Sequence, residues 1–398
     1  MHKVPPAAIT ANTPATDDLS LIRGGLFYRL LRATRLMEEK RWLFGRRVIL
    51  AVAITWLPLL LATWLFNPQG FTALLRDYRI YARLLIAVPV LLIGQMLMET
   101  RFRMIVSQVR DAGLLDADGL VELGGVIDHM RRLRDSILPE LIVIVLAYAH
   151  TAFIWHSRVA NASAWAVYPA TGGAVHITPA GWYFGLVSQM VYQVLIGVGL
   201  WKWLLWALFL FRLSRMKLKL VATHPDGHGG LGFLGLSPLG FVPIAFAAAT
   251  VIGSTWRYQI LHAGAHLRDF RLSAIVLLVI VILIALGPLA FFIRDLSVLR
   301  RQGILQYGIL AQIHSTDFHQ KWILHRAGHE EEFLTAPESS SLADFGTSYE
   351  NIEKMMPFPL DKGALLGLAL AVALPMLPAL LAEMPLREVL QDLLEAVR

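Results

Sequence analysis

The sequence predicts an all-α, polytopic helical membrane protein with about seven transmembrane helices. Three observations carry that prediction. The chain has 398 residues, of which 56% are hydrophobic and only 16% charged. The charges cluster between long uncharged runs, whereas a water-facing surface intersperses both signs. Lys and Arg collect beside those runs, where they set orientation and meet anionic head groups. A mean hydropathy of +0.56 exceeds what a soluble core of this length needs.

The same observations limit the function classes. A formal charge of +7 and a pI of about 9.7 would point a soluble chain towards nucleic acid. Here the basic residues flank apolar spans, so the lipid bilayer is the expected partner and nucleic acid is not. Cysteine is absent, which removes disulfides, thiolate chemistry, iron–sulfur clusters and Cys-based zinc sites. The first long apolar run starts near Val48, too deep and too long for a cleavable leader, and reads as a retained anchor.

The elements follow in order. Residues 1–20 are Pro-rich and polar and are expected to be a disordered tail. Residues 21–47 carry eight basic side chains, with Leu26, Leu30, Ala33 and Met37 at helical spacing. They read as a basic interfacial helix, the competing reading being a solvated cytoplasmic helix. Spans are expected at 48–66 and 81–98, then a cytoplasmic helical hairpin at 99–136 broken near Gly113–Gly119. A third span covers 137–154, and the exported loop 155–181 contains turns or a small hairpin. The run 182–211 would measure roughly 45 Å as one helix against a hydrocarbon core of roughly 30 Å. It is one tilted span or two. Trp201, Trp203 and Trp206 read as an interfacial belt, with Lys202 snorkelling among them. Further spans fall at 239–258, 272–292 and 364–381, separated by a cytoplasmic segment at 293–363. An amphipathic helix from Pro385 to Arg398 ends the chain. Inside segments hold most of the Lys and Arg, so the N-terminus is expected in the cytoplasm. Two short outside loops, with Arg76, Arg79 and Arg83 and with Arg257, Arg268 and Arg271, run against that rule.

Chemistry is concentrated in few places. Thr223–Gly240 places His224, Asp226 and His228 among Gly227, Gly229, Gly230, Gly232 and Gly235. Glycine at this density permits positive φ and close backbone approach. At membrane depth such a stretch survives only inside protein or beside a water-filled cavity. It is therefore either a re-entrant segment or gate, or a cytoplasmic turn in which Asp226 satisfies backbone donors. The spacing of a phosphate loop is missing. Glu140, Tyr148 and Thr151 share a broad face of the third span, with His150 on another side, and Gln189, Tyr192 and Gln193 form a polar patch in the fourth. These side chains are candidates for an aqueous path; for Glu140 the competing reading is interfacial pairing with Arg131, Arg132 or Arg134. His325 and His329, and again His262 and His266, have the i, i+4 spacing of a helical metal pair, without the order of a zinc protease. Asp116-Ala117-Asp118-Gly119 lacks the later ligands of a calcium loop.

The stretch His224-Pro225-Asp226-Gly227-His228-Gly229-Gly230-Leu231-Gly232-Phe233-Leu234-Gly235 resembles one shared by a group of uncharacterised bacterial inner-membrane proteins. Pro357-Phe358-Pro359-Leu360-Asp361 and Arg132-Leu133-Arg134-Asp135-Ser136 are similar to that group as well. The resemblance implies a multi-pass protein of the bacterial inner (plasma) membrane and brings no activity with it. From the residues, the leading expectation is a channel or transporter for ions or small solutes. The alternatives are a metal-dependent membrane enzyme using His224, Asp226 and His228, and a scaffold or sensor. No cofactor is implied, no nucleophile is visible, and homo-oligomerisation is left open.

Overall fold

A computed structural model describes residues 41–158, 163–169, 175–324 and 337–383. The expected tail at 1–20, most of the interfacial helix at 21–47, the pair His325 and His329, and the terminal amphipathic helix lie outside the described residues.

The described chain is overwhelmingly helical, with a single two-stranded sheet. Six helices are long and apolar enough to cross a membrane, or up to seven if one bent helix pair counts as a span. Helix α1, Arg41–Phe66, ends where Asn67 caps the short α2, Pro68–Arg76, by accepting from Gly70 N at 3.1 Å. Helix α3 is continuous over Tyr78–Asp111, with a π-helical turn at Ala82–Ala87. Two helices flank the expected break near Gly113, and the first of them is the end of this same helix. Gly113, at φ 70°, turns the chain, and Asp116 starts α4, Ala117–Asp135, by accepting from Gly119 N at 2.8 Å. Helix α5, Leu138–Arg158, follows a 42° bend, and this is the pair that leaves the span count between six and seven.

Strands β1, Val167–Pro169, and β2, Val175–Ile177, pair antiparallel with Tyr168 opposite His176. The overlong run is then one helix, α6, over Pro179–Leu213, about 52 Å at 1.5 Å per residue. Trp203 and Trp206 are not an interfacial belt. They are 3% and 0% exposed, with Trp206 stacked on Phe102 at 4.0 Å and Trp203 donating to Ile284 O.

After an irregular stretch, a 3₁₀ turn at Gly232–Gly240 leads into α7, Val242–Ala263. Helix α8, Arg271–Leu286, continues through a 3₁₀ segment into α9, Ile293–Phe318. Together they form a helical run of 58 residues, Leu267–Leu324, far longer than a bilayer requires. Helix α10, Pro337–Glu353, packs on α9, and α11, Lys362–Leu380, packs along α7.

Burial explains the arrangement. The main core joins α3, α4, α6, the entry to α7 and the α8–α9 junction through Phe102, Met130, Trp206, Phe209, Phe241 and Phe292. A smaller cluster of Leu59, Leu74, Ile80, Leu84, Trp165 and Ala180 lies under the β-hairpin. Small residues let helices close up: a Cβ on Gly253 would sit 2.7 Å from Pro375 O of α11, and one on Gly94 2.2 Å from Pro243 Cβ. The outer surface is the reverse of a soluble one. Leu57, Leu61, Trp64, Leu146, Leu272 and Leu283 are each more than half exposed.

Candidate functional site

The Gly-rich segment divides into two parts. Gly232–Gly240 runs directly into α7 and lies against α3, where a Cβ on Gly240 would stand 3.1 Å from Phe102. Residues 223–231 form a closed loop organised by Asp226. Its Oδ1 accepts from His228 N at 2.8 Å and Gly230 N at 3.1 Å, its Oδ2 from Gly232 N at 2.8 Å, and His224 Nδ1 stands 2.9 Å from Oδ1. Burial pushes this carboxyl up, but the three backbone donors and His224 outweigh it and hold it below the usual range. His228 is buried, its Nδ1 3.0 Å from Met356 O. Gly227, Gly229 and Gly230 have φ of 67°, 64° and 97°, and a Cβ on Gly229 would meet Leu299 at 2.8 Å.

The loop also serves as a joint. Gly227 O accepts from Met356 N at 2.9 Å, and Gly235 leaves no room beside Pro359 O and Asp361 N. Asp361 in turn caps α11 by accepting from Ala364 N at 2.7 Å. Two sequence stretches some 120 residues apart, HPDGHGGLGFLG and PFPLD, are thus packed on one another. Leu114 of the α3–α4 turn joins them, its carbonyl accepting from Lys219 N at 2.8 Å.

The candidate path residues separate. Thr151 donates to Gln193 Oε1 at 3.0 Å, and the Gln193 amide donates to His150 Nδ1 at 2.7 Å. His150 therefore joins Thr151 rather than facing away from it. Tyr148 is 45% exposed and is not brought to this group. Gln189 lies one turn from Gln193, its Oε1 buried and without a hydrogen-bond partner among the described residues. His262 stacks on Tyr258 at 4.6 Å, while His266 follows the left-handed Gly264 and meets Glu383 Oε1 at 3.1 Å. The two do not share a helix face, and no group of three His, Asp or Glu could hold a metal among the described residues.

One costly side chain was read from sequence as snorkelling. Lys202 is buried within α6, about 16 Å from its end at Leu213, and donates to Gln95 Oε1 of α3 at 3.0 Å. The charges of Glu99, Glu140 and Arg134 act on it. Glu99 and Glu140 are 6% and 8% exposed, and Glu99 accepts from Arg103 Nε at 2.7 Å. Glu140 lies in the first turn of α5, where the helix N-terminus favours a carboxylate. Four helices therefore deliver opposite charges to one buried region. The signal in the sequence was a single cation in a run otherwise apolar. Its carboxylate neighbours lie about 60 and 100 residues away.

A second polar group lies at the end of the bundle that carries the β-hairpin. Asp77 accepts from Arg79 Nε at 2.8 Å, Ser163 Oγ at 2.9 Å and Trp165 Nε1 at 3.1 Å. Burial raises its carboxyl, but Arg79, Trp165 and Ser163 more than reverse this and hold it low. Arg79 also lies 3.5 Å from the ring centroid of Tyr258, and Arg257 lies 4.5 Å from that of Tyr78. The two short loops whose arginines oppose the positive-inside pattern thus meet face to face.

No family model, curated protein or solved structure matches this chain.

Proposed function

We propose that this chain is a multi-pass integral membrane protein of the bacterial inner membrane, cytoplasmic at its N-terminus, that moves an ion or small solute through the helix bundle. The reading rests on the apolar outer face and, above all, on Lys202. An ammonium in an apolar span is expensive, and such residues mark substrate or proton pathways when they are retained. With Glu99, Glu140, Arg103 and Arg134 around it, gain or loss of one proton changes the charge of the whole group. Gln95 offers a neutral partner on the way, its Nε2 buried and unpartnered among the described residues. In this reading the Gly-rich loop is the joint that holds α6, α7 and α11 together at one end of that site, not the pathway. An enzyme at His224, Asp226 and His228 has less support, because both oxygens of Asp226 serve the loop's own backbone and His224.

The test is flux in proteoliposomes over a panel of protons, alkali cations, halides and small organic solutes. Protein with Lys202→Met or Glu140→Gln should lose at least about ten-fold in rate while its melting temperature in detergent stays within a few degrees. Silence of the unaltered protein over the whole panel would reject transport.

The alternative role as a scaffold has one observation of its own. On α9, beyond the length a bilayer can cover, Leu305, Ile309 and Ile313 are 64%, 65% and 55% exposed at i, i+4 spacing. Capture of a single defined partner that is lost in Ile309→Glu would favour that role.

A further inference from the structure

The arginines at the hairpin end have no role in the Lys202 reading, and only one of them, Arg79, is held in an ion pair. Arg79 is neutralised by Asp77 at 2.7 Å. Arg83, one turn further along α3, feels the charges of Arg79 and Asp77 and lies 5.5 Å from the Phe184 ring and 5.8 Å from the Tyr192 ring. Arg257 stacks on Tyr78, whose phenol feels both Arg257 and Arg79.

The other carboxylates at this end are already engaged. Asp269 accepts from His266 N at 2.9 Å, and Glu383 accepts from Leu267 N and meets His266. Arg83 and Arg257 lie against aromatic rings, and of the three guanidinium groups only Arg79 has a carboxylate partner among the described residues. Arg83 Nε, Arg257 Nε and Tyr78 Oη are all buried and have no hydrogen-bond partner there. Unpaired buried donors are costly. An anion with several acceptor oxygens satisfies such donors together, and the planar edge of a guanidinium matches it.

We propose that Arg257 and Tyr78, in the added field of Arg79 and Arg83, form a binding site for a phosphate-type oxyanion, taken either free or as the head group of an anionic lipid. The site explains why two loops on one side of the bundle carry arginines against the orientation rule: they are drawn together by a ligand rather than by the membrane potential. It stands independently of transport through the Lys202 region.

The experiment uses the full chain, delipidated in neutral detergent. Inorganic phosphate is titrated by calorimetry, and dioleoylphosphatidylglycerol by native mass spectrometry. Saturable phosphate binding supports a soluble oxyanion, and retention of the lipid without phosphate binding supports a head group. In either case Arg257→Gln should weaken binding at least about ten-fold. Tyr78→Phe, which removes only the hydroxyl and keeps the stack, should weaken it about three- to ten-fold. Arg271→Gln, at an exposed position on the same end, should bind as the unaltered protein does. Absence of both ligands, or equal binding in the Arg257 and Tyr78 variants that remain folded by circular dichroism, overturns the proposal.

Discussion

Asp226 shows how one side chain can hold a segment that has no regular structure. A loop of consecutive glycines loses much conformational entropy on ordering, and its donors need acceptors wherever water is excluded. The carboxylate supplies three backbone bonds within seven residues. Replacing Asp226 with Ala leaves those donors unpaired and should cost about 1–3 kcal/mol, read as a lower melting temperature in detergent. The pH dependence follows from the same bonds. The folded-state carboxyl titrates below its unfolded value, so its contribution is present above about pH 4 and is lost as pH falls through the lower folded value. Acidification from about pH 5 to pH 3 should lower the melting temperature of the unaltered protein more than that of Asp226→Asn. A slope that is equal in the two proteins would assign the acid sensitivity elsewhere. Lys202 poses the opposite problem, since it gains nothing for stability that a leucine would not give, so Lys202→Met should leave the fold intact while removing the charge.

Among the helices, close contacts depend on positions where no side chain fits. Gly253 of α7 meets the backbone of α11 at Pro375, itself at one of the two prolines inside that helix. In lipid no hydrophobic effect would drive helices together, and such approach of small residues is what would pack them there. Gly253→Val should separate α7 from α11 and lower the melting temperature by several degrees, whereas Gly124→Ala on α4, where a Cβ meets nothing within 4 Å, should leave it unchanged or raise it. A similar loss in both variants would show that helix propensity, not packing, decides. The Gly-rich loop acts at this scale too. It fixes the exit of α6, the entry of α7 and the cap of α11 in one place, which accounts for glycine at positions that a simple turn would not need.

For the molecule as a whole, the bundle has two polar regions separated along α3 by the buried apolar residues Ala87, Val88 and Leu91. One end carries the β-hairpin and the arginine group; towards the other lie Lys202, the α3–α4 hairpin and the projecting α9–α10 pair. The absence of cysteine allows the arrangement to be checked directly. Single replacements Tyr168→Cys and Ile309→Cys, both at exposed positions, should react with an impermeant maleimide from opposite sides of the membrane in sealed vesicles. Reaction from the same side would require an even number of crossings between them and would overturn the topology.

The sequence by itself determined the helical class and the position of nearly every apolar helix, placed a helix break near Gly113, and left turns or a small hairpin open ahead of α6. These follow from composition and from periodicities within a single segment. What it could not decide were relations between segments. Whether residues 182–211 break depended on α6 being covered along its length by α3, α5 and α7, so that an overlong helix and its tryptophans are buried in protein. Lys202 looked like a snorkelling cation because its neighbours Gln95, Glu99 and Glu140 reach it only through helix packing. The arginines of the two short loops looked like exceptions to a charge rule until folding brought Arg79 to Tyr258 and Arg257 to Tyr78. Hydropathy is a property of a stretch of chain, whereas burial and pairing of charge belong to the contacts between stretches. For that reason the apolar helices were legible from the sequence, whereas the residues of both proposed sites come together only in the tertiary structure.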